Sequence, residues 1–156
     1  MGIRETLGET SMEIRRKLSI TGEYEESDVG YIIDQLVSFN LSNAPTAQVP
    51  PSEDINLILR DQDGLVLGGV LGKMYRFALY IHVLWVSEEL RGQGYGSRLL
   101  HEIESQAQAK GCKLVHLDTW NFQAPEFYVK HGFEIFGTLE GFPEGTKRHF
   151  LRKEIG

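Results

Sequence analysis

Three glycines alternate in the run Arg91-Gly92-Gln93-Gly94-Tyr95-Gly96-Ser97, between an apolar, strand-like segment and a helical one. A strand that ends in a glycine-dense turn and opens into a helix makes an anion site. The first N–H groups of the helix lack partners and carry the positive end of its dipole. Glycine lets the chain approach a phosphate closely because no Cβ intervenes. With Arg91 at the front of the turn, the chemistry indicated is the cradling of a diphosphate. A P-loop is excluded, since no Gly-Lys-Ser/Thr closes the run. A Rossmann fingerprint needs Gly-x-Gly-x-x-Gly, whereas this run is Gly-x-Gly-x-Gly and lies mid-chain. Asp118 does end the next expected strand, so a dinucleotide reading stays open beside a plain turn that holds no ligand.

The elements that must position this loop follow from pattern. The apolar stretch 77–86, with Phe77, Tyr80, Ile81, Val83, Leu84, Trp85 and Val86, reads as a central strand covered on both faces. A helix is expected over 94–110. Leu99, Leu100, Ile103 and Ala107 form its buried stripe, and Arg98, Glu102 and Gln106 a solvated ladder. Gly111 ends it. A strand over 113–118, a short helix from Pro125 to about residue 131, and an antiparallel pair over 133–139 and 148–154 follow. Upstream, a weak strand is expected over 12–20, a helix over 25–41 capped by Ser27 or Asp28, and a loop over 42–52 that has room for a short helix. Two strands meet at Asp61-Gln62-Asp63-Gly64, a hairpin signal. This is not a calcium loop, because Gly64 is in the fourth position and no glutamate closes it. Residues 1–11 read as a flexible arm before a single domain over 12–156.

Two segments together resemble the GNAT superfamily of N-acetyltransferases. Arg91 to Gly96 is similar to that family's pyrophosphate signature, Arg/Gln-x-x-Gly-x-Gly/Ala, at all three fixed positions. About thirty residues on, Asn121-Phe122-Gln123-Ala124-Pro125-Glu126-Phe127-Tyr128-Val129-Lys130-His131-Gly132-Phe133 resembles its Asn…Ala…Tyr-x-Lys-x-Gly-Phe segment. The resemblance runs over roughly 12–155. It implies an α/β fold with a mixed, twisted sheet of six or seven strands, splayed in the middle, and about four helices. It further implies acetyl-CoA as co-substrate. Arg91, Gly92, Gln93, Gly94, Tyr95, Gly96 and Ser97 would hold the pyrophosphate, chiefly through backbone amides. Leu84, Trp85 and Val86 would pair with the pantetheine arm, and Asn121 would bond the cofactor near its pantetheine end. Tyr128 would protonate the departing thiolate, for which a phenol is a workable donor in a dry site. His82, placed by alternation on the face of Tyr80 and Leu84, is the first candidate for a base. Glu53, Asp118 and Glu126 are weaker candidates, and Trp120 and Tyr75 are candidates to line an acceptor pocket.

Composition bounds the rest. The net charge of −6 argues against a nucleic-acid platform and for an amine-bearing substrate. Apolar runs are too short to cross a bilayer. Cys112 is the single cysteine, so a cysteine cluster is excluded, no His-Glu-x-x-His occurs, and no metal is expected. A cytoplasmic enzyme that acetylates the primary amine of a small molecule, and that forms homodimers, is the resulting expectation. The competing function is a non-catalytic acyl-CoA sensor on the same fold.

Overall fold

The computed structural model describes residues 16–44 and 52–156. The chain divides into two units, 1–45 and 46–156. The first holds α1 (Glu26–Asn43). Its cap is Glu25, two residues ahead of the expected Ser27 and three ahead of Asp28. Asp28 instead reaches back from the first turn and accepts the Glu25 N–H at 2.9 Å, the return half of a capping box. Residues 16–20 form no strand, because their alternation is too weak to specify one. Residues 12–15, the arm over 1–11, and positions 45–51 of the expected loop lie outside the described residues.

The second unit is a six-stranded sheet in the order β1-β2-β3-β4-β6-β5. Its strands are β1 (Glu53–Arg60), β2 (Val66–Tyr75), β3 (Ala78–Val86), β4 (Leu114–Trp120), β5 (Glu134–Leu139) and β6 (Arg148–Glu154). Two helices join them, α2 (Tyr95–Ala109) and α3 (Pro125–Lys130). The described residues thus hold three α-helices, against about four expected. The β1–β2 hairpin forms as read. Asp61 Oδ1 accepts the N–H groups of Asp63 and Leu65, both at 2.9 Å, and Gly64 takes a left-handed φ of 85°.

All neighbouring strands are antiparallel except β3 and β4, which are parallel. Parallel neighbours need a crossover, and α2 supplies it. Leu100, Ile103 and Ala107 of α2 pack with Val70, Leu79, Val115 and Leu151 of the sheet, all nearly inaccessible. Each large side chain contributes about 1.5–3 kcal/mol by its burial. At Gly72 a Cβ would stand 2.8 Å from Leu79 and 3.0 Å from Ile103, so glycine is what lets α2 close on β2.

Two irregularities shape the site. The β3–β4 ladder runs only from Ala78 opposite Leu114 to Ile81 opposite Leu117, after which the strands part. This is the splay that the resemblance implies. In the β2–β3 ladder, Leu71 pairs with Val83 and Gly72 with Ile81, leaving His82 as the extra residue of a β-bulge. A bulge restarts the alternation. Leu79 and Ile81 face the core before it, and Leu84 and Val86 pack against the core after it. Tyr80 and Leu84 therefore face opposite ways, which corrects the expectation that His82 shares a face with both. Coverage of β3 on both faces also fails in this half, where Val83 and Trp85 are 43% and 49% exposed.

Candidate active site

Between β3 and α2 the chain makes a short helical turn (Glu88–Leu90) and then the glycine loop. Gly92 and Gly94 hold left-handed φ values of 75° and 84°. No heavy atom lies within 4 Å of the Cβ position at either one, so the loop leaves open space where a side chain would stand. Arg91 Nε donates to the Val86 carbonyl at 3.2 Å and Gln93 Nε2 to the Glu89 carbonyl at 3.0 Å. These side chains brace the loop, and its backbone faces outward. The first bond inside α2 runs from Arg98 N–H to the Gly94 carbonyl, so the N–H groups of Tyr95, Gly96 and Ser97 precede the ladder. No acidic residue stands in that first turn. The resulting cavity, about 340 Å³, is lined by Val86, Arg91, Gly94, Gly96, Ser97 and Phe127. Donors, dipole and open space together fit a diphosphate.

The second cavity is the fork between β3 and β4. Its volume is about 290 Å³ and its walls include His82, Leu84, Trp85, Asp118, Gln123 and Tyr128. On β3, Leu84, Trp85 and Val86 pair with Val70, Gly69 and Gly68 of β2 on one side. On the other side they have lost β4, since pairing there stops at Ile81. That edge runs from the fork to the cradle, because Leu84 and Trp85 line the first and Val86 the second.

Tyr128 stands on α3, its ring edge-on to Phe127 at 5.1 Å and to Phe133 at 5.8 Å. Burial pushes its phenol up to about 12, so it holds its proton at any physiological pH. His82 is exposed and its ring lies 5.8 Å from that of Tyr80. The fork therefore brings His82 and Tyr128 into one cavity, together with the backbone edge of Leu84 to Val86.

Other candidates are placed differently. Asp118 lines the fork, but it accepts from the Tyr80 hydroxyl at 2.9 Å and from Arg148 Nη2 at 2.7 Å. Such a carboxylate is a strap more than a base. Glu53 pairs with Lys110 at 2.6 Å and shares a cavity with Tyr75 and Phe77, at the end of β3 away from the fork. Glu53 and Tyr75 thus stand where the β2–β3 hairpin turns, apart from the fork. Glu126 is exposed on α3. Trp120 ends β4, packed edge-on by Phe142 at 4.9 Å and parallel to Phe122 at 6.1 Å. Asn121 is engaged with the β5–β6 connection: Oδ1 accepts the Lys147 N–H at 3.0 Å and Nδ2 donates to the Gly145 carbonyl at 3.4 Å. A cofactor bond from Asn121 would use what hydrogen-bonding capacity remains.

Spacing alone does not single out Arg148 or Gln123, whose Oε1 accepts the Trp120 N–H at 3.0 Å. His131 is legible only as the residue four beyond Phe127. No group of three or more His, Cys, Asp or Glu side chains among the described residues is arranged for a metal. No helix among them is long and apolar enough to cross a membrane.

Comparison with known proteins gives the same picture. The model of the acetyltransferase (GNAT) family matches residues 20–133. An acetyltransferase of Agrobacterium fabrum is 34% identical, over 80% of this chain and 88% of its own. Blasticidin-S acetyltransferase of Streptomyces morookaense is 33% identical, over 74% of this chain and 85% of its own. The crystal structure of an acetyltransferase from Bacillus cereus superposes with a TM-score of 0.78 at 39% identity, covering 88% of this chain and 98% of that one. With a splayed mixed sheet, a glycine cradle at the start of α2 and a family match over most of its length, this chain belongs to the GNAT family of acetyltransferases.

Proposed function

We propose that the chain is an acetyl-CoA-dependent N-acetyltransferase that acts on the primary amine of a small molecule. The observation that carries this reading is the continuity of the two cavities along Leu84 to Val86, with donors at one end and Tyr128 at the other. When bound, acetyl-CoA supplies an acetyl group activated as a thioester. The N–H groups of Tyr95, Gly96 and Ser97 hold its diphosphate. The free edge of β3 accepts the extended arm as an added strand, and the Val86 N–H is the nearest backbone donor for a developing oxyanion.

Tyr128 keeps a proton at its phenol oxygen and offers it to sulfur. A phenol at about 12 is a weaker acid than an alkyl thiol in water, for which cysteine at about 8.5 is the reference, so the transfer runs uphill there. The burial that raises Tyr128 acts on a sulfur beside it in the same direction and narrows the gap. His82, on the open side of the bulge, is placed to take a proton from an incoming ammonium. The acidic chain, at net charge −6, favours a cationic acceptor. A relative that acetylates blasticidin S, 33% identical, supports a small amine-bearing compound.

The test is release of free CoA thiol from acetyl-CoA with a panel of small primary amines. Amine-dependent release that Tyr128→Phe abolishes supports catalysis. Tight acetyl-CoA binding with no release for any amine would make the chain a sensor.

A further inference from the structure

His131 follows α3 and reaches across to α2. Its Nδ1 lies 2.7 Å from the Phe127 carbonyl oxygen, and its Nε2 lies 2.9 Å from the Ser97 hydroxyl. The Phe127 ring fixes the imidazole in place, with the centroids 4.5 Å apart. A carbonyl only accepts, so Nδ1 carries a proton. In the neutral ring Nε2 then offers a lone pair, and Ser97 must donate its single hydroxyl proton to it. Ser97 is the third residue of α2 and lines the cradle. While it donates to His131 it cannot donate to an anion.

We propose that His131 is a positioning residue that couples anion binding in the cradle to the uptake of one proton. The inference rests on the cradle being the diphosphate site proposed above. An oxygen of the fully ionised diphosphate accepts and does not donate, so Ser97 serves it only by turning its O–H away from Nε2. The vacated Ser97 lone pair is then met by a proton taken from solvent onto Nε2. The completed chain runs from imidazolium Nδ1–H to the Phe127 carbonyl, from Nε2–H to Ser97 Oγ, and from the Ser97 O–H to phosphate. Only one N–H bond forms, and its proton comes from water. The imidazolium adds a positive charge behind the amides at the start of α2.

The neighbouring charged groups are otherwise engaged or exposed. Arg91 donates to the Val86 carbonyl, and the Arg98 guanidinium lies 5.4 Å from the Tyr95 ring centre. His101 on α2, and Glu126 and Lys130 on α3, are exposed. Glu134 of β5 pairs with Arg152, and Lys153 of β6 pairs with Glu104. Among the described residues none of these is bonded to His131, whose ring nitrogens meet only the Phe127 carbonyl and the Ser97 hydroxyl.

The complex binds more protons than the free protein, so affinity falls as pH rises through the imidazole range. The 3′-phosphate of CoA, with a second ionisation at about 6, opposes this trend, so 3′-dephospho-CoA is the probe to use. Calorimetric titration in two buffers of different protonation enthalpy counts the protons taken up. Wild type is expected to take up a proton, and to lose about tenfold in affinity between about pH 6 and about pH 8.5. His131→Gln and Ser97→Ala, the second of which leaves the imidazole packing in place, are expected to bind with a flat profile and no uptake. Equal uptake in wild type and Ser97→Ala, or none in wild type, overturns the linkage while leaving the cofactor assignment intact. Failure of wild type to bind either CoA or the dephospho form overturns the assignment and the linkage together.

Discussion

The Tyr80 hydroxyl donates to Asp118 Oδ1 at 2.9 Å, across β3 and β4 at the point where their ladder ends. Asp118 Oδ2 accepts in turn from Arg148 Nε at 2.8 Å and Nη2 at 2.7 Å, which ties in β6. Burial, and then the Asp118 bond, raise the Tyr80 phenol above its ordinary value. Three side chains thus tie β3, β4 and β6 together where the fork begins. Tyr80→Phe removes one bond and leaves a carboxylate oxygen short of a donor. Its cost should be about 1 kcal/mol, or a thermal midpoint lower by about 2–4 °C. Turnover should fall more than acetyl-CoA affinity, because the cradle is untouched. Unchanged stability and turnover would show that the strap does not set the fork.

Tyr128→Phe separates chemistry from binding. Loss of a proton donor at the reacting atoms should lower kcat by about 10²–10⁴ and leave acetyl-CoA affinity near wild type. Loss of both in equal measure would make Tyr128 a packing residue, held by Phe127 and Phe133.

The same phenol gives a signature at high pH. Above pH 10 the unfolded chain releases the Tyr128 proton, whereas the folded chain keeps it to about 12. The folded state binds more protons in that window, so stability falls as pH rises through it. Denaturant midpoints at about pH 9 and about pH 11 should converge in Tyr128→Phe relative to wild type. An identical alkaline loss in both proteins would contradict the buried phenol.

Much of this architecture is legible in the sequence, and the failures have physical causes. The α2 stripe of Leu99, Leu100, Ile103 and Ala107 is readable because polar residues mark its other face, and the Asp61–Gly64 turn because its residue types specify it. The bulge at His82 is not. Every neighbour in Tyr80-Ile81-His82-Val83-Leu84-Trp85-Val86 is apolar or aromatic, so a slip in phase leaves no mark on the pattern. The strap from Tyr80 to Asp118 spans 38 positions and the bond from Ser97 to His131 spans 34, distances that only the topology closes. Tyr75 reads as a pocket residue because it is an aromatic at a strand end, and only the hairpin shows that this end lies away from the fork.

Behind α2, Glu104 and Lys153 form an ion pair at 2.7 Å with side chains 11% and 26% exposed. Glu104→Ala would strand the ammonium beside Phe133 and should cost about 2 kcal/mol, below the range for fully buried pairs because Lys153 retains some solvent. Glu104→Leu combined with Lys153→Met should recover most of that loss. Equal destabilisation by the single and double variants would mean that packing, not charge, holds this contact.

In the proposed cradle, Gly94 is where backbone and diphosphate would meet. Its φ of 84° lies where a β-branched residue is strained, and its Cβ direction is open. Gly94→Val should therefore lose acetyl-CoA binding while remaining folded, with a stability cost of about 1–3 kcal/mol. Normal binding by the folded variant would remove the cradle from the site.

Thermal unfolding of the wild-type protein with acetyl-CoA, CoA and NAD in parallel tests the central claim most directly. At a hundredfold excess over its dissociation constant, a bound ligand stabilises the fold by about 2.7 kcal/mol. The midpoint should rise with acetyl-CoA and CoA and stay unchanged with NAD. No rise with either form of CoA at millimolar concentration, or a rise with NAD alone, would contradict the assignment of the glycine loop and with it the proposed reaction.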